Sequence, residues 1–234
     1  MIIIPKLEDM LKAGMHFGHR TNRWHPKMKQ FIFNSKNGVY IIDLRQTQEK
    51  LREALEFMAK LVSEGKNILF IGTKSQVSAP LKKMAEEVGQ PYVTGKWLGG
   101  YLTNFAIVKK SVKKYLDLIE KRETGKLEKY TKKERLNFDR EIKKLEERVG
   151  GVSALVKLPD ALFVWDLREE ETAVKEAIQK NIPIIAICDT NVNPDEANYP
   201  IPANDDSTKT IKLLLESIKS AILEGKKEVK EVKE

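Results

Sequence analysis

Five short apolar runs, separated by stretches of helical periodicity, restrict what this chain can fold into. The runs are VYIIDL (39–44), NILFIGT (67–73), PYVTG (91–95), ALFVWD (161–166) and IIAICD (184–189). Several are apolar at consecutive positions, the pattern of strands covered on both faces. Between the first two, Leu51, Leu55, Met58 and Val62 form one stripe of a helix closed by Gly65. A second helix spans about Ser75 to Val88, before Gly89. Glu169, Glu170 and Glu171 suit the first turn of a third, which ends before Asn181 and Pro183. The last carries Ile211, Leu214, Leu215, Ile218 and Ile222, with Gly225 as its stop. This alternation predicts an α/β fold, a doubly wound parallel sheet with helices on both faces.

One stretch breaks the alternation. Phe105, Val108, Val112, Tyr115 and Ile119 are spaced three and four apart, and so are Phe138, Ile142, Leu145 and Val149. Gly125 and a polar stretch separate the two sets. The spacing predicts an antiparallel helical hairpin with a coiled-coil seam, inserted into the sheet domain. The expected division is residues 1–104 and 151–224 for the sheet domain and 105–150 for the hairpin, with 225–234 as a flexible tail.

Charge narrows the function. The chain carries a net charge of +8, but residues 151–234 are net acidic while residues 105–150 carry net +6. From Met10 to Ile42 there are six basic residues and no acidic one. That segment contains GMHFGHRTNRWHPKMKQFIF (14–33), with Arg20, Arg23, Lys27 and Lys29 interleaved with Phe17, Trp24, Phe31 and Phe33. Cations neutralise phosphates and aromatic planes stack on exposed bases, so the pattern points to RNA. Trp24 and Phe17 are expected partly buried, with the cations outward. Lys74, in IGTKSQ between a strand and a helix, and Lys96 with Trp97, beside the two glycines of WLGGYLTN, are further candidates for phosphate or base contact. So are Lys109, Lys110, Lys113 and Lys114 on the hairpin.

Catalytic and metal readings are weaker. His16 and His19 stand three apart, and Asp189 and Asp205 end other elements, so these four could share a divalent metal. The simpler reading gives Asp205 or Asp206 a helix cap, Asp189 a turn, and the histidines hydrogen bonds in a polar loop. IGTKSQ has one glycine and matches no nucleotide-binding fingerprint. No nucleophile is paired with a base, and Cys188 lies in an apolar run, where it is inert. No cofactor is expected. The single cysteine excludes an internal disulfide framework, no apolar run approaches the ~20 residues of a membrane span, and MIIIPKLEDM lacks a basic stretch before its apolar residues. A cytoplasmic protein is expected.

Seven ordered motifs carry a resemblance. GMHFGHRTNRWHPKM, GVYIIDLRQT, ILFIGTK, GKWLGGYLTN, LPDALFVWD, AVKEAIQKNIPIIAICDTN and NYPIPANDDS, over roughly residues 7–223, resemble the bacterial form of small-subunit ribosomal protein two. Lys96 stands where that family usually has arginine. The resemblance implies a flavodoxin-like five-stranded parallel sheet, order 2-1-3-4-5, with a protruding helical hairpin. It implies a non-catalytic structural protein of the small ribosomal subunit, bound to rRNA and supporting translation. Ribosomal proteins three, five and eight are the implied neighbours, with protein one in many bacteria; no membrane or small-molecule substrate is implied. Two alternatives remain: a doubly wound enzyme or metal- or anion-binding protein with its site at the carboxyl ends of the strands, and an adaptor whose hairpin binds another protein.

Overall fold

The computed structural model describes residues 2–231. In chain order the elements are α1 (Leu7–Ala13), β1 (Phe17–Arg20), β2 (Ile32–Lys36), β3 (Val39–Ile42), α2 (Leu44–Ser63), β4 (Ile68–Ile71), α3 (Ser75–Glu87) and β5 (Tyr92–Val93). There follow α4 (Phe105–Glu123), α5 (Lys132–Val149), β6 (Ala161–Val164), α6 (Glu171–Gln179), β7 (Ile184–Cys188), β8 (Tyr199–Pro202) and α7 (Thr208–Glu231). The central sheet is parallel, in the order β5-β4-β6-β7-β8. Counted along the chain this is 2-1-3-4-5, the order that the resemblance implies.

Burial on both faces explains the unbroken apolar strands. Ile68, Phe70, Phe163, Trp165, Ile185 and Ile187 pack under α1, α2, α3 and α7. The alternate residues, Leu69, Ile71, Leu162, Val164, Ala186 and Cys188, pack under α6 and the root of the hairpin. Each strand therefore feeds two cores with a period of two.

The membership of the sheet differs from the expectation in one strand. VYII forms β3 of a separate antiparallel sheet, order β1-β3-β2, and is only partly buried. The fifth parallel strand is β8, Tyr-Pro-Ile-Pro. Its prolines obscure it in the sequence, but they are tolerated because β8 is an edge strand, where one side makes no ladder.

A second difference concerns the last helix. It runs through Gly225, the expected stop, to Glu231. A Cβ on Gly225 would lie 2.3 Å from the Ala59 carbonyl oxygen of α2, so glycine is required there for close helix approach and not for termination. The expected flexible tail thus begins inside α7, and residues 232–234 lie outside the described part.

The hairpin helices are where the spacing puts them. Thr131 and Glu134 form a reciprocal capping box at the start of α5, which fixes where the second helix begins. The Tyr101 hydroxyl donates to the Arg148 carbonyl at the root, and Lys114 pairs with Glu141 midway, so the helices run antiparallel. Val108, Tyr115, Ile142 and Val149 are buried, while Phe105, Val112, Ile119, Phe138 and Leu145 are partly so. Leu118, one position before the expected Ile119, is the more deeply buried of the two.

Candidate nucleic-acid interface

The basic N-terminal segment is held by apolar anchors that alternate with its cations. Met15 and Met28 are fully buried and Phe31 nearly so. Between them Arg20, Arg23, Lys27 and Lys29 are exposed. Trp24 is half-buried with its ring 5.1 Å from that of Tyr40, whereas Phe17, expected partly buried, is 49% exposed. Lys27 meets Asp195 at 2.6 Å, but both are exposed, so water and salt weaken the pair and leave the cation available.

The turn after β7 clamps this segment to the sheet domain. Thr190 Oγ1 accepts from the His19 backbone N–H at 2.8 Å, and its carbonyl accepts from that of His25, also at 2.8 Å. Gly18 lets this happen: a Cβ there would fall 2.5 Å from Thr190 Cγ2. His19 Nδ1 lies 3.0 Å from Asp189 Oδ1. The hydrogen bond to Asp189 raises the His19 pKa above the ordinary imidazole value, against the opposing effect of burial. The His16 ring lies 4.0 Å from that of Phe17, tilted by 39°, and its pKa is lowered by burial. Of the four expected metal ligands, only His19 and Asp189 meet as a pair. Among the described residues no three His, Cys, Asp or Glu side chains gather to hold an ion.

Lys74 is placed differently from the expectation. It stands at the carboxyl end of β4, where strand order reverses between β4 and β6 and doubly wound proteins bind ligands. Its Nζ lies 2.7 Å from Asp166, 2.7 Å from Asp205 and 3.0 Å from Asp206. Three carboxylates of the protein itself thus engage Lys74, which keeps only 17% of its side chain exposed. Burial works against its charge, yet Asp166 and Asp205 outweigh this and hold its pKa above the usual lysine value. Lys74 and Asp166 form the charged pair. Asp205, 1% exposed, is pushed up to about 8 by burial, with the charges of Asp189 and Asp166 adding to it.

Both His19 and Asp205 hold protons more tightly folded than unfolded. The stability from His19 is complete below its unfolded pKa of about 6.5 and is lost as pH rises through the folded value. That from Asp205 declines from about pH 4 up to about 8. Between pH 6.5 and 8.5 the two act in the same direction. The thermal midpoint should therefore fall across this window. His19→Gln and Asp205→Asn should each flatten the decline, and a midpoint constant or rising from pH 6.5 to 8.5 would contradict the assignment.

Trp97 also departs from the expectation. It is buried, and its Nε1–H donates to Glu176 Oε1 at 3.1 Å. Glu176 was not legible as a site residue, yet it organises the whole WLGGYLTN loop. Its carboxylate accepts from the N–H of Gly100 (2.7 Å), Leu102 (2.9 Å) and Thr103 (3.0 Å) and from the Thr103 hydroxyl (3.0 Å). Burial alone would raise its pKa, but these donors outweigh burial and hold it below the ordinary value. The one available signal is its position: Glu176 adjoins Ala173, Val174 and Ala177 on the buried stripe of α6. Lys96, next to Trp97, is exposed, as are Lys109, Lys110, Lys113 and Lys114 along α4. Cys188 is buried and its thiol pKa is pushed up by burial, which keeps it unreactive. Among the described residues no helix is long and apolar enough to cross a membrane.

The family model described as "Ribosomal protein S2" matches residues 10–225. Three relatives bear the name "Small ribosomal subunit protein uS2". That of Coprothermobacter proteolyticus is 48% identical over 223 residues, covering 95% of this chain and 83% of the relative. That of Mycobacteroides abscessus is 48% identical over 222 residues, covering 95% and 80%. That of Helicobacter hepaticus is 46% identical over 226 residues, covering 96% and 85%.

Proposed function

Because this chain belongs to the ribosomal protein S2 family, we propose that it is a structural, non-catalytic constituent of the small ribosomal subunit that binds rRNA through its basic N-terminal segment and its hairpin. The reading rests on one arrangement: Arg20, Arg23, Lys27 and Lys29 are exposed on a frame fixed by Met15, Met28 and Phe31. A backbone already fixed by buried anchors loses little entropy when its cations meet phosphates. Lys96, Lys109, Lys110, Lys113 and Lys114 extend the contact, and Trp24 adds a stacking surface beside Arg23. Lys74 and Trp97 take internal roles, the first pairing with Asp166 and Asp205 and the second fixing the hairpin root. In this proposal residues 105–150 form an arm on the sheet domain, the neighbours are ribosomal proteins three, five and eight, with protein one in many bacteria, and the location is the cytoplasm.

Sedimentation tests the role. Purified full-length chain should travel with small subunits stripped of their own copy, at one copy per subunit, and not with large subunits. Equal association with both subunits, or with neither, would contradict it.

A further inference from the structure

We propose that Phe33 is a base-stacking residue that takes an unpaired nucleotide of the small-subunit rRNA; the inference rests on the rRNA-binding reading above. Phe33 is 75% exposed, the most exposed aromatic among the described residues. Its neighbour Phe31 is buried in the core, so a second ring two positions away has no packing duty to the fold. A surface phenyl ring gains the isolated chain nothing.

Backbone geometry holds the ring out. Ile32 lies opposite Ile42 and Asn34 opposite Ile41, so two steps along β2 match one along β3. Phe33 falls in that register shift, at a β-bulge, a device that re-aims a side chain. The bulge is anchored on both sides. Ser35 and Lys36 continue the ladder against Tyr40 and Val39, the tight Asn37–Gly38 turn closes the hairpin, and the Ile32 end is tied down by Phe31. β2 is also an edge strand, so nothing from the sheet lies beside it on its outer side.

The surroundings choose the ligand. Lys29 and Lys36 stand four residues before and three after Phe33 in sequence, both are exposed, and no acidic side chain occurs between Met10 and Ile42. A protein surface that covered Phe33 would need its own carboxylates to neutralise these cations. A nucleotide supplies both parts of the match, a flat base for the ring and phosphates for the lysines. In a duplex the bases are stacked already, so the preferred ligand is an unpaired base.

The test measures affinity of the full-length chain for transcribed small-subunit rRNA and for a perfect RNA duplex, across a range of salt. Phe33→Ala should weaken rRNA binding by roughly 5- to 100-fold, leave the salt slope as in wild type, and leave duplex binding unchanged. Phe33→Trp should bind as well as wild type, and Phe33→Leu should be as weak as Phe33→Ala because apolar bulk alone does not stack. Phe33→Ala should unfold at the wild-type temperature, since the side chain is exposed. Wild-type affinity in Phe33→Ala or Phe33→Leu would overturn stacking while leaving the rRNA reading intact. So would a loss seen on whole small subunits but not on rRNA, which would give Phe33 to a protein neighbour. A wild-type chain that binds neither RNA would overturn both.

Discussion

Glu176→Ala should destabilise the protein by about 3–5 kcal/mol and lower its thermal midpoint by about 10 °C. Five donors point at this one buried carboxylate: Trp97 Nε1–H, the N–H groups of Gly100, Leu102 and Thr103, and the Thr103 hydroxyl. Removing it strands them in a region with little access to water, and each unsatisfied donor costs about 1–3 kcal/mol before the loop relaxes. Glu176→Gln should cost less, because one oxygen still accepts, but the new amide meets donors where the second oxygen stood. The effect is also directional in pH. The folded pKa of Glu176 is depressed, so its contribution is present above the unfolded value of about 4.3 and is lost as pH falls through the folded value. In the variant that part of the acid dependence should be absent. Calorimetric or fluorescence unfolding at pH 7 and pH 4 checks both. A variant within about 1 kcal/mol of wild type at pH 7 would show that the loop has another anchor. Because the loop leads directly into α4, hydrogen exchange in the hairpin should rise as well.

Replacing Arg20, Arg23, Lys27 and Lys29 together with alanine should weaken rRNA binding about a thousandfold at 0.1 M salt, if each meets one phosphate. The four side chains are exposed, so the fold should survive: the anchors Met15, Met28 and Phe31 and the Thr190 clamp are untouched. Lys27 is paired with Asp195, and its removal also frees a carboxylate to repel RNA. Quadruple substitution with lysine or arginine in the opposite sense (Arg20→Lys, Arg23→Lys, Lys27→Arg, Lys29→Arg) should retain most affinity, which separates charge from shape. Binding isotherms at fixed salt, with circular dichroism confirming the fold, measure the effect.

The parts of this molecule that could be read from sequence are those governed by local rules. β4, β6 and β7 are legible because burial on both faces demands consecutive apolar residues. The hairpin is legible because two helices with one shared seam need a spacing of three and four. β8 is not, because its two prolines mimic a loop and only its edge position makes them harmless. VYII looked like a buried parallel strand, since a run of four apolar residues does not record how much of each is covered. The role of Gly225 is not legible, because a glycine that ends a helix and a glycine that admits a neighbouring helix are the same letter; the difference lies in Ala59, far away in sequence.

The site shows the same division. The acid-free segment with its alternating rings and cations is visible in the sequence, and its four cations are exposed. The immediate sequence neighbours of Lys74 and Trp97 suggest ligand contacts. Their actual partners, Asp166 with Asp205 and Glu176, are about 80–130 residues distant and are brought up only by the sheet order and by α6. Charged residues in the core are settled by tertiary partners, which no local pattern encodes.

The most direct measurement of the central claim, that fixed cations of the N-terminal segment hold rRNA phosphates, is the salt dependence of rRNA binding in wild type and in the quadruple alanine variant. The logarithm of the association constant should fall linearly with the logarithm of salt concentration in both. The variant's slope should be shallower by about 3, from roughly 0.7–0.9 for each lost phosphate contact. Equal slopes, with the variant still bound at wild-type affinity, would contradict the account and leave the segment as packing for the sheet domain alone.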